Sequence, residues 1–87
     1  MERILVVDDE AGIVALLSNF LQDAGFTVDS AADGGQALAK MRDNLYNIVL
    51  CDIRLPDVDG KTLIPQFKAF NPLCNVVIMT GYTSMDN

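Results

Sequence analysis

NIVLCDIRLPDVDG, residues 47–60, is the stretch from which the fold can be read. Ile48, Val49, Leu50 and Cys51 form an unbroken apolar run, as a central strand needs when both of its faces are covered. The run stops at Asp52, and Pro56 and Gly60 mark the following segment as a loop. A carboxylate at the carboxyl end of a buried parallel strand stands where open α/β sheets keep their ligand crevice. Such an acid can also do no more than end a strand or cap a helix, so its meaning depends on the flanking segments.

Arg3 to Val7 (RILVV) reads as a second buried strand, and it too ends in acid, at Asp8-Asp9. Ile13, Leu16, Leu17, Phe20, Leu21 and Ala24 follow at helical spacing, and Gly25 stands where helices commonly stop. Phe26 to Ser30 alternates apolar and polar residues, as a strand near a sheet edge does. Asp33 is placed to cap a second helix, along which Ala37, Leu38, Met41 and Leu45 line one face. Its other side carries Gln36, Lys40, Arg42 and Asp43 and reads as solvated. Leu63, Ile64, Phe67 and Phe70 predict a third helix that starts near Thr62, tolerates Pro65 in its first turn and stops at Asn71-Pro72. Asn75 to Thr80 (NVVIMT) predicts a fourth strand, followed by the loop Gly81-Tyr82-Thr83-Ser84. The order βαβαβαβ implies right-handed crossovers and a parallel sheet.

The chain has 87 residues, enough for one domain (1–87) with a modest core, and 51% of them are hydrophobic, which argues against disorder. No apolar run is long enough to span a bilayer, and MERILVVDDE turns acidic too early for a secretory signal, so a cytoplasmic location is expected. A net charge of −6 opposes direct nucleic-acid binding, which needs clustered Lys and Arg. The absence of histidine removes zinc sites and histidine-based catalysis from consideration. Cys51 and Cys74 form neither a CxxC pair nor a disulfide framework; Cys51 reads as a small core residue and Cys74 has no legible role.

Asp8-Asp9, Asp52 and Thr80 end three of the four strands, and in a parallel sheet these ends share one edge. Carboxylates crowded there repel one another, and a divalent cation removes that penalty. Ligands that are all oxygen point to Mg²⁺, with Mn²⁺ as a substitute. The matching chemistry is phosphoryl transfer to a carboxylate. Asp52 is then the nucleophile, Asp8 and Asp9 the metal holders, and the Thr80 hydroxyl a donor to the phosphoryl group.

LVVDDE at 5–10, DIRLPDVDG at 52–60 and VIMTGY at 77–82, in this order and spacing, resemble the receiver domains of two-component response regulators. The resemblance implies a flavodoxin-like, doubly wound parallel sheet with strand order 2-1-3-4. It implies that Asp52 accepts a phosphoryl group from a histidine kinase, with Mg²⁺ held by Asp9, Asp52, the backbone carbonyl of Arg54 and, often through water, Asp8. Thr80 would be the switch hydroxyl, with Arg54 and Tyr82 tuning the lifetime of the aspartyl phosphate. LPDVDG and MTGY look most like receivers attached to transcriptional regulators. On this reading the chain is a signalling phosphoacceptor coupled to an output domain, not a conventional enzyme.

A complete receiver adds a fourth helix, a fifth strand bearing a lysine that pairs with the phosphoryl group, and a fifth helix. No residue here matches that lysine, and Lys61 would fill its role only by guesswork. The expected sheet is therefore incomplete, with NVVIM an apolar edge and one face partly bare, which predicts self-association. Two alternatives stand beside the phosphoacceptor: a fragment that self-associates or is inert, without phosphorylation, and a Mg²⁺ phosphatase of the haloacid dehalogenase type. The phosphatase motif DxDGT is echoed from Asp57 to Thr62, but Ile53-Arg54-Leu55-Pro56 separates Asp57 from the strand.

Overall fold

A computed structural model describes residues 2–79. The elements are β1 (Arg3–Val7), α1 (Ala11–Asp23), β2 (Thr27–Ala31), α2 (Gly34–Asp43), β3 (Ile48–Asp52), a 3-10 turn (Gly60–Leu63), α3 (Ile64–Phe70) and β4 (Asn75–Met79). The four strands form one parallel sheet in the order β2-β1-β3-β4, so β1 and β3 are central and the expected βαβαβαβ arrangement is met. This is the α/β flavodoxin-like architecture.

Strand alternation sends Leu5, Val7, Val49 and Cys51 to one face of the sheet. There they pack with Ala37, Met41, Tyr46, Leu63, Phe67 and Cys74 under α2 and α3. Both cysteines are buried in this core and unpaired, which gives Cys74 the packing role that its sequence left blank. Ile4 and Val6 point to the opposite face and are also buried; there α1 lies over β1 and β2.

Local chemistry explains most of the boundaries. α1 stops at Ala24, and Gly25 takes a φ of 101°, a left-handed conformation in which a β-carbon would be strained. Asp33 caps α2 by accepting a hydrogen bond from the Gln36 amide at 2.7 Å. Pro65 lies in the first turn of α3, where no amide donor is required.

Four expectations need correction. β2 runs from Thr27 to Ala31, one residue later than the alternation suggested, because its register opposite β1 starts at Arg3–Thr27. The third helix does not begin at Thr62, which lies in the 3-10 turn and donates its hydroxyl to the Asp59 carbonyl at 2.7 Å. Leu45 lies beyond the end of α2 and is 71% exposed, because Asn44 is already extended. In α1, Leu16 and Phe20 are 67% and 70% exposed, since the apolar stripe of this helix is wider than its contact with the sheet.

Candidate functional site

Strand register brings the acids together. Val7 pairs with Cys51 across β1 and β3, so Asp8 and Asp52 continue from neighbouring strands at the same level. The Asp8 amide donates to the Ala31 carbonyl at 3.0 Å, which extends the ladder beyond β1. Asp8, Asp9 and Asp52 each offer a carboxylate oxygen, and these atoms all lie within 4.8 Å of one another. Asp8 is only 6% exposed, Asp52 is half-buried and Asp9 is open to solvent.

The electrostatics of the cluster are unfavourable when it stands alone. Burial is the main reason that the Asp8 carboxyl is held above its ordinary range. The Glu10 amide, donating at 3.0 Å, opposes that shift, while the negative charges of Asp52, Asp9 and Glu10 add to it. Behind the acids, the Cys51 thiol is pushed up to about 12, first by burial and then by Asp52 and Asp8, so it is an inert packing group. The donor set is carboxylate oxygen, open on the Asp9 side, and it fits a hard divalent cation.

The loop after β3 folds back as a narrow hairpin. The backbones of Arg54 and Asp59 face each other across it, between two hydrogen bonds: the Leu55 amide donates to the Val58 carbonyl at 3.2 Å, and the Gly60 amide donates to the Ile53 carbonyl at 2.7 Å. The Arg54 amide also reaches Asp52 Oδ1 at 3.3 Å, which ties the hairpin base to the acid cluster. Only glycine fits at position 60: a β-carbon there would lie 2.1 Å from the Asp52 carbonyl oxygen. Next to the acids, a cleft of about 310 Å³ opens between α1 and the end of β2, lined by Asp8, Asp9, Val14, Ala15, Ser30 and Gln36.

Thr80 and Tyr82 lie outside the described residues. Lys61 sits in the 3-10 turn, where its amide donates to Asp59 Oδ1 at 2.8 Å. Asp57 lies in the hairpin, with both carboxylate oxygens accepting from backbone amides, of Gly34 at 2.9 Å and Gly35 at 3.0 Å. It is not the strand-end nucleophile that the phosphatase reading required. Sequence reading missed the parts played by Asp57 and Gly60 around the site; the turn residues of PDVDG were the available signal, but they named no partner.

The profile of the response regulator receiver domain matches residues 4–87. The chain belongs to that family. This receiver is 43% identical over 83 residues to the transcriptional regulatory protein ZraR of Klebsiella oxytoca, an alignment covering 95% of this chain and 19% of ZraR. The CheY-like receiver domain protein of Methanospirillum hungatei superposes with a TM-score of 0.90 at 35% identity, covering 94% of this chain and 66% of that one. Response regulator TrrA of Thermotoga maritima, solved in complex with Mg²⁺-BeF, gives a TM-score of 0.87 at 34% identity, covering 99% of this chain and 75% of that one. TrrA has also been solved in complex with the histidine kinase ThkA. The receiver thus spans a small part of the curated regulators it resembles and most of the solved receiver chains. Among its described residues, no helix is long and apolar enough to cross a membrane.

Proposed function

We propose that this receiver, taken as one unit over residues 1–87, is a phosphoacceptor in which Asp52 receives a phosphoryl group from a histidine kinase in the cytoplasm. The gathering of the Asp8, Asp9 and Asp52 oxygens within 4.8 Å carries this reading. A carboxylate oxygen of Asp52 attacks phosphorus, and a P–O bond forms as the P–N bond to the kinase imidazole breaks. The electron pair returns to the imidazole nitrogen, which takes a proton from water. Asp8, Asp9, Asp52 and the Arg54 carbonyl are the residues that would hold Mg²⁺, or Mn²⁺ in its place. The bound ion would offset negative charge on the phosphoryl oxygens. Thr80 is assigned the hydroxyl that turns toward the phosphoryl group, and an attached output, transcriptional by analogy with ZraR, reads the change. Self-phosphorylation and slow self-hydrolysis are the only reactions expected of the chain.

Mass spectrometry after incubation with Mg²⁺ and acetyl phosphate tests the reading. The unaltered chain is expected to gain one phosphoryl group and Asp52→Asn none. Equal labelling of both proteins would remove Asp52 from its role, and labelling of neither would favour the unphosphorylated alternative.

A second reading, compatible with the first, is self-association. Val77 on β4 is 48% exposed, and Leu16 and Phe20 of α1 are more so. These residues leave apolar surface on the α1 side of the sheet, and a second copy of the chain would cover it.

A further inference from the structure

The tip of the hairpin is fastened to a different part of the fold. Asp57 receives the first two amides of α2, Gly34 and Gly35, one on each carboxylate oxygen. The contact beside it is closely fitted, since a β-carbon on Gly34 would lie 2.7 Å from Val58 Cγ2. The two amide bonds hold the Asp57 carboxyl below its ordinary range, as expected for a carboxylate receiving helix N-terminal donors. α2 therefore has two caps, Asp33 from its own chain segment and Asp57 from the loop after β3.

From Asp57 the hairpin leads straight to the acid cluster. The Leu55–Val58 hydrogen bond closes the tip, the Gly60–Ile53 hydrogen bond holds the two arms where Arg54 faces Asp59, and the Arg54 amide meets Asp52. We infer that Asp57 is a positioning residue for the metal site: by clamping the hairpin tip to α2, it steadies the segment whose Arg54 carbonyl would ligate Mg²⁺. The inference rests on the proposed metal site and extends it to a residue outside the acid cluster. Residues that orient metal ligands are commonly worth at least tenfold in affinity.

The test compares Asp57→Ala with Asp33→Ala in the full chain. Each removes one cap of the same helix, but only Asp57 holds the hairpin. Mg²⁺ affinity is read from amide NMR shifts at Asp9 and Arg54, and stability from thermal melts. Asp57→Ala is expected to weaken Mg²⁺ binding about tenfold, and Asp33→Ala to lower the melting temperature while leaving affinity unchanged. Asp57→Asn keeps one acceptor oxygen and the side-chain volume, and it carries the test with a smaller loss if the alanine variant does not fold. Unchanged affinity in the Asp57 variants, or an equal loss in Asp33→Ala, overturns the inference while the metal site stands. No Mg²⁺ response in the unaltered chain overturns the metal site itself, and the inference with it.

Discussion

Asp8 and Gly60 illustrate two different costs that single residues carry at this site. Asp8 is a buried acid among other acids, an arrangement that burdens the folded chain until a cation or a proton arrives. Gly60 carries no charge, but its missing side chain is what lets the returning arm of the hairpin press against the Asp52 carbonyl. Because the obstructing atom is backbone, it cannot swing aside as a side chain would. Gly60→Ala is expected to cost at least about 2 kcal/mol of stability, in the range of overpacked sites, and to weaken Mg²⁺ binding at the same time. Urea denaturation with a Mg²⁺ titration checks both, and a variant of unchanged stability would show that the arm relaxes.

Away from the acids, a polar lock joins β1, β2 and the segment entering β3. Tyr46 is fully buried and donates its hydroxyl to Asp29 Oδ2 at 2.6 Å, while Arg3 Nη2 reaches the same oxygen at 2.7 Å. The Arg3 guanidinium also lies over the Tyr46 ring, 5.2 Å from its centroid. The Tyr46 hydroxyl, and after it Arg3, holds the Asp29 carboxyl below its ordinary range. The folded chain therefore binds this proton less readily than the unfolded one. The resulting stability is present in full above the ordinary carboxylate range and fades as pH falls through the lowered value. Tyr46→Phe is expected to cost about 2 kcal/mol at neutral pH, as for a buried hydrogen bond to a charged group, and less in acid. Denaturation curves at neutral and acidic pH should show that gap narrowing; a constant gap would assign the loss to packing.

Among the described residues, the two faces of the sheet are covered unequally. α2 and α3 close one face over an eleven-residue buried cluster. On the other face α1 lies over β1 and β2, and Val77 on β4 stays 48% exposed. At high concentration the 87-residue chain is expected to form dimers or larger species by light scattering, and Val77→Lys on the edge strand should shift it toward monomer. A compact monomer at every concentration would mean that this surface is tolerated bare.

Much of this was legible in the linear order of residues. Unbroken apolar runs at Ile4–Val7 and Ile48–Cys51, Gly25 after a helical stripe, and Asp33 before α2 each follow from local chemistry, so strand and helix order, the parallel sheet and the acids at its edge could be read directly. Other features depend on which segments meet, and that is a property of the folded chain. The register of Val7 against Cys51 sets Asp8 level with Asp52. Asp57, five residues past the end of β3 in a turn-forming stretch, gained its partner only when the hairpin met α2. Tyr46 lies between α2 and β3, outside any periodic run, and its hydroxyl meets a carboxylate seventeen positions away. Periodicity reports which face of an element is apolar, whereas hydrogen bonds and close contacts between distant segments exist only once the chain has closed on itself.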